Sequence, residues 1–360
     1  MMTYAVSNND DATRDEEATM VPATMDAITQ YEYGEASEVL GFERIAVPEP
    51  GADQVLVRVD AAGLDQGTWH LVAGLPHVVR LAGFGVRRPK NPVPGLDFAG
   101  EVVAIGSGVT GYTVGERVFG TSKGSFAQYA VADVERIAPM PAGVRPEQAA
   151  VVAVSGLTGL QGIRDVAGVV AGEKVLVIGA SGGVGSYAVQ VARALGAEVT
   201  GVASTSKLDF VRSLGADHVI DYTAGPIGDF GGGYDVILDM GGNRTLRELR
   251  RLLVPNGRLV ITGGENGGSL VGGADRQIRA SIWSLFSSKK MKTFISSENS
   301  EDLRTLAAMV ERGELRIPLD RVVALPEAAG AIDDMRAGRV RGKLAVVPEA
   351  DPGEPAQDQP

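Results

Sequence analysis

The residues best suited to chemistry in this 360-residue chain lie in one turn, Gly179-Ala180-Ser181-Gly182-Gly183-Val184-Gly185. The apolar run Val175–Ile178 leads into it, and Val184, Ala188, Val191, Ala192 and Leu195 recur at helical spacing after it. A second apolar run, Val199–Ala203, closes the unit. Strand, turn, helix and strand make a βαβ unit with room for a phosphate at its first turn. Gly182 lets the main chain approach a pyrophosphate, and Gly185 lets the helix pack close to the strand. The helix N-terminus then offers free N–H groups and a positive dipole end. Ala180, Ser181, Gly182, Gly183, Val184 and Gly185 are therefore candidate dinucleotide contacts. Ala180 stands where the strict G-x-G-x-x-G pattern has its first glycine. A βα turn of some other α/β protein is the competing reading.

The elements around this turn fall into three stretches. Before it the chain reads as β-rich. Met25–Tyr31, Val39–Val47, Val55–Asp60, Ala99–Ile105, Arg117–Phe119 and Phe126–Val131 are expected strands, punctuated by Gly and Pro, as in a compact barrel. From about Glu147 helices and strands alternate. Helices are expected at Pro146–Ala153, Leu157–Ala167, Lys207–Leu214 and Arg244–Leu253, with strands at His218–Ile220, Asp235–Leu238 and Arg258–Thr262. Such alternation predicts a parallel, doubly wound sheet. After about Glu301, a helix (Glu301–Arg312), a strand (Asp320–Ala324), a helix (Pro326–Ala337) and a strand (Lys343–Val347) are expected to return to the first domain. The resulting division is 24–150 and 299–348 for a catalytic domain and 151–298 for a nucleotide domain inserted within it. Residues 1–23 and 349–360 are polar and read as disordered extensions.

Composition narrows the function classes. A net charge of −11 argues against nucleic acid as a main partner, which needs a basic face. There are no cysteines, so disulfides, iron–sulfur clusters and thiolate zinc sites are excluded. The three histidines, His70, His77 and His218, show no metal-ligand spacing, and no metal site is expected. No apolar run approaches the ~20 residues of a membrane-spanning helix. No basic segment followed by an apolar stretch opens the chain, so a cytoplasmic protein is expected.

Seven segments together carry a family likeness: PEPGADQVLVRVDAAGLD (48–65), PGLDFAGEVVAIGSGVTGYTVGERVFG (94–120), GSFAQYAV (124–131), GLTGLQGI (156–163), GASGGVGSYAVQVARALGA (179–197), SLGADHVIDY (213–222) and GRVRGKLAVV (338–347). The chain resembles zinc-free members of the medium-chain dehydrogenase/reductase superfamily, close to the quinone oxidoreductase branch. The resemblance implies an α/β fold in which a Rossmann doubly wound parallel sheet is inserted into a GroES-like β-barrel catalytic domain, with the active site between them. Zinc-dependent relatives carry a ligating Cys after the first long strand and His-Glu in a PG-H-E-x-x-G segment. Here those regions read AAGLDQGTWH and PGLDFAG, with Leu96 and Asp97 in the His-Glu places. The resemblance thus implies an NADPH-dependent, metal-independent reductase of enones, enals, enoyl groups or quinones. A zinc-free alcohol or ketone reductase, or a nucleotide-binding regulatory protein without turnover, are the competing functions.

The second strand ends in Ser204-Thr205-Ser206-Lys207, without the acid that usually binds a ribose 2′-hydroxyl. Hydroxyls and a cation suit a 2′-phosphate. By resemblance Tyr222 and Arg341 lie near the same phosphate, which makes NADP(H) the expected cofactor. Strand ends at Asp239, Gly241, Thr262, Gly263 and Gly264 should line the ribose and nicotinamide side. Thr158 matches a nicotinamide-adjacent position, or else packs its helix. Asp65, Trp69 and His70 are the candidate catalytic residues: Asp65 reads as a proton relay or a turn residue, His70 as a donor to a substrate carbonyl or a proton shuttle or else a structural group, and Trp69 as a pocket aromatic. The long segment Trp69–Pro94 reads as a pocket wall or a surface excursion, and Trp283 and Phe286 as pocket wall, core or dimer contacts. The alternating segment 291–297 is the expected sheet edge of a homodimer.

Overall fold

The computed structural model describes residues 21–348 apart from 78–79, 243, 263–278, 281–282 and 285–287. Gly263, Gly264 and Phe286 lie outside the described residues, as do most of the expected N-terminal extension and the tail from residue 349. A short antiparallel ribbon, β1 (Thr24–Thr29) with β2 (Gly41–Ala46), opens the fold. Then follow β3 (Gln54–Leu64), β4 (Asp97–Ile105), β5 (Arg117–Thr121), β6 (Tyr129–Asp133) and β7 (Ile137–Pro139). Next come β8 (Lys174–Ile178), β9 (Glu198–Ala203), β10 (His218–Asp221), β11 (Tyr234–Asp239), β12 (Leu253–Ile261) and β13 (Lys290–Thr293). The C-terminal strands are β14 (Leu319–Ala324) and β15 (Lys343–Val347).

Among the described residues, β8 to β13 form a parallel sheet of order β10-β9-β8-β11-β12-β13. The strand order reverses between β8 and β11, so a crevice opens at their carboxyl ends, where ligands of doubly wound sheets bind. β3 to β7 form a second, largely antiparallel sheet, which β15 joins by pairing antiparallel with β3 while β14 runs parallel to β15. The last strands of the chain thus complete the sheet of its first third.

Two of the differences from the expected elements bear on the site. β3 continues past Asp60 to Leu64, because Ala61–Leu64 are buried on both faces and the period-2 signal disappears there. The helix expected over 146–153 is one turn, Pro146–Ala149, and a second helix begins at Ala153. The N–H of Val154 in that second helix is one of the orphan donors of a helix start, and Asp97 Oδ1 accepts it at 2.9 Å. One core packs the turn's helix Gly183–Ala194 and helix Ala153–Gln161 against the parallel sheet; a second fills the barrel.

Candidate active site

The glycine turn lies between β8 and helix Gly183–Ala194. Gly179 takes a positive φ of 85°, and a Cβ on Gly185 would sit 2.1 Å from the Gly179 carbonyl oxygen. Only glycine allows that approach of helix to strand. Gly182 is the extended N-cap residue and offers no side chain to the first helical N–H groups. Ala180 is buried, and its N–H donates to Val202 O at 3.1 Å. A dipole-aligned turn with uncapped donors fits a pyrophosphate.

The carboxyl ends of the neighbouring strands meet above this turn. Met240 N–H donates to Ile178 O at 3.2 Å and Thr262 N–H to Asp239 O at 3.1 Å. Gly242 N–H donates to the buried Asp239 Oδ1 at 3.3 Å, and Gly241 has room beside Ile178. Thr262 Oγ1 is buried with no hydrogen-bond partner among the described residues. Thr158 Oγ1 donates to Val154 O at 2.7 Å and lies 2.9 Å from Ser296 Oγ.

On the barrel side of the turn sits a group that the sequence reading did not assemble. Lys343 is 1% exposed, and its Nζ lies 3.2 Å from Asp97 Oδ2 and 3.7 Å from Asp65 Oδ2. A Cβ on Gly183 would come 3.1 Å from the Lys343 side chain, so the lysine stem lies against the turn itself. The preceding Gly342 N–H donates to Ser181 O at 2.8 Å. Asp65 Oδ1 accepts from Thr68 N–H at 2.8 Å and so caps helix Gln66–Ala73. One ammonium faces two buried carboxylates. Burial pushes the Asp97 carboxyl up to about 7; Lys343 opposes this and the Asp65 charge adds to it. Only Gly-Lys in GRVRGKLAVV signalled Lys343, and a lysine there reads as a surface charge until β15 is placed beside β3.

The other barrel candidates are packed. Trp69 stacks under the Arg336 guanidinium at 4.4 Å and joins the barrel core. His70 Nδ1 lies 2.7 Å from Leu75 O at the end of its helix. In the 69–94 segment, Arg80 stacks on Tyr33 at 4.4 Å and donates to Gly74 O at 2.8 Å, while Phe84, Arg87, Arg88 and Lys90 are exposed. Trp283 is half exposed beside Arg250.

At the end of β9 the structure brings residues 131 or more positions apart together. Lys207 Nζ donates to Gly338 O at 2.8 Å and Val340 O at 2.6 Å, which sets Arg341 beside it. Burial lowers the Lys207 ammonium below its ordinary value; Asp320 opposes this and the Arg341 charge adds to it. Ser204 is partly buried and Tyr222 exposed at the adjoining strand ends. Two carboxylates also reach this end of the crevice, although the β9 terminus carries none. Asp221 Oδ2 accepts from Thr205 Oγ1 at 2.5 Å, and Asp320 Oδ1 lies 3.5 Å from Arg341 Nε.

Residues 51–142 match the family model described as alcohol dehydrogenase GroES-like domain, and 214–346 the one described as zinc-binding dehydrogenase. The chain is 30% identical over 347 residues to a chloroplast envelope quinone oxidoreductase homolog of Arabidopsis thaliana, covering 91% of this chain and all of that protein. The chain belongs to the medium-chain dehydrogenase/reductase superfamily, in its quinone oxidoreductase-like branch. It is also 28% identical to a 2-methylene-furan-3-one reductase of Solanum lycopersicum, over 91% of this chain and 80% of that one. The solved quinone oxidoreductase of Coxiella burnetii superposes with a TM-score of 0.77 at 26% identity, covering 91% of this chain and 100% of that one. The superfamily makes this an oxidoreductase fold built for a nicotinamide dinucleotide and a small-molecule acceptor. Its zinc-dependent members set a standard that the donor set here does not meet. Leu96 brings no donor atom, and the carboxylates of Asp65 and Asp97 face Lys343. Among the described residues no helix is long and apolar enough to cross a membrane.

Proposed function

We propose that this protein is an NADPH-dependent reductase that delivers hydride to an α,β-unsaturated carbonyl or quinone without a metal. The observation that carries this reading is Lys343, whose buried ammonium lies between Asp65 and Asp97 where zinc-dependent relatives arrange ligands. A carbonyl reduced directly needs strong polarisation of its oxygen, commonly by a Lewis acid. Conjugate reduction asks less: hydride adds at a carbon remote from oxygen, and the developing enolate requires only hydrogen-bond donors and a proton from water. The tomato relative, named for a 2-methylene-furan-3-one, is a precedent for an enone acceptor.

Bound NADPH would supply the hydride. The turn Ala180–Gly185 would hold its pyrophosphate; Ser204, Lys207, Tyr222 and Arg341 would face the 2′-phosphate. Asp239, Gly241 and Thr262 would flank the ribose and nicotinamide, with Thr158 on the facing helix. Asp65 would act as a positioning residue, capping helix Gln66–Ala73 with one oxygen and facing Lys343 with the other. Trp69 and His70, on that same helix, would fix its position through Arg336 and Leu75 O. We read the protein further as a cytoplasmic homodimer joined through the β13 edge; light scattering at the monomer mass would contradict that assembly.

The test is NADPH oxidation against quinones, enals, enones and enoyl thioesters, with NADH in parallel. Turnover of one acceptor class with higher kcat/KM for NADPH is expected. Binding without turnover across the panel would favour a regulatory protein.

A further inference from the structure

The cations expected to meet a 2′-phosphate already have an anion beside them. Asp320, near the start of β14, keeps only 12% of its side chain exposed. Its Oδ1 lies 3.5 Å from Arg341 Nε, and its Oδ2 lies 3.5 Å from Arg321 Nη1. Its charge also acts on Lys207, raising that ammonium against the effect of burial. Arg321 has a second partner in Asp334, which Arg339 also engages. Asp320 is therefore the carboxylate shared by the two cations at the end of β9, whereas Arg321 is served without it. The Lys207 ammonium is held in place by the carbonyls of Gly338 and Val340. Its position does not depend on Asp320, but the potential it presents does.

Resting on the NADPH reading above, we propose that Asp320 is a specificity-determining residue, an internal counter-ion that competes with the cofactor's 2′-phosphate for Arg341 and Lys207. A phosphate arriving there must draw Arg341 from a carboxylate that already holds it. Asp320 thus lowers the affinity for NADPH and leaves NADH, which brings no phosphate, nearly untouched. The contest takes place at a surface where Arg341 is 58% exposed, so screening keeps its size moderate and makes it larger at low salt.

The experiment measures dissociation constants of NADPH, NADH, 2′,5′-ADP and AMP for the full chain by calorimetry, at low and high salt, in wild type and Asp320→Asn. The ratio of the two wild-type dinucleotide constants tests the cofactor reading. The change of that ratio on substitution tests the present inference independently. Asp320→Asn is expected to tighten NADPH and 2′,5′-ADP about three- to tenfold at low salt, with NADH and AMP shifted less than about twofold. Asp320→Glu, which keeps the charge, is expected to stay near wild type, and adding Arg341→Gln to Asp320→Asn should remove most of the gain. Should melting curves show Asp320→Asn unfolded, Asp320→Ser is measured in its place. An unchanged NADPH to NADH ratio in the neutral variant, or equal tightening of both dinucleotides, would overturn the proposal.

Discussion

Lys343 answers to three neighbours with different demands. Its stem fills the space beside Gly183, and its ammonium lies within reach of the Asp97 and Asp65 carboxylates in surroundings that exclude water. Removing one partner from a buried ion pair leaves an uncompensated charge, which costs roughly 3–5 kcal/mol. Lys343→Met should therefore lower stability by about that amount in urea titration, and adding Asp97→Asn should recover part of the loss. The same cluster sets a pH dependence. Burial first, and Asp65 second, raise the Asp97 carboxyl from its ordinary 3.8 to about 7, against the pull of Lys343. Across that window the native state holds a proton that the unfolded chain has released. Stability from this group is thus full below the lower value and is lost as pH rises through the higher one. Asp97→Asn should flatten the decline measured by melting between those two pH values. His70, whose ring nitrogen is directed at Leu75 O, should prove dispensable for the chemical step. A kcat for His70→Gln within about twofold of wild type is expected, and a large fall would place the ring in the reaction.

At the scale of elements, local pattern announced most of what positions the site. The turn at 179–185 was legible because a short continuous apolar run, small residues and a helix-period run follow one another without interruption. Asp97 and Lys343 were not legible as a pair, since they lie 246 positions apart and meet only when β15 pairs with β3 beside β4. The break between the two helices, expected at 154–156 and found at 150–152, was displaced for a similar reason: the second start is capped by Asp97 from the barrel and not by a neighbouring side chain. Glycines separate these cases experimentally. Gly185→Ala drives a Cβ into the Gly179 carbonyl and the Ala180 main chain, and should cost about 1–3 kcal/mol as well as dinucleotide affinity. Gly330→Ala, in helix Ala328–Arg336 with open space around its Cβ, should stabilise by about 0.5–1 kcal/mol. Chemical denaturation of both variants checks the opposite signs.

For the whole molecule, the site depends on how barrel and parallel sheet are tied together. The Gly342 N–H to Ser181 bond, the Val154 N–H to Asp97 bond and the Lys343 ion pairs join the glycine turn, the facing helix and the barrel strands. Ligand held by the turn therefore stabilises both layers. Saturation to about 100 times the dissociation constant should add roughly 2.7 kcal/mol to the unfolding of a single transition followed by calorimetry. The family-wide likeness implied the fold from motifs spread along the chain, whereas acceptor choice depends on a cleft that the seven segments do not spell out. The most direct test of a metal-independent conjugate reduction is product analysis with an enone and NADPH carrying deuterium at the transferred position, in the presence of a chelator. Conjugate reduction without a metal gives a saturated ketone with deuterium on its β-carbon, at an undiminished rate. An allylic alcohol with deuterium on the former carbonyl carbon, or activity abolished by the chelator, would contradict it.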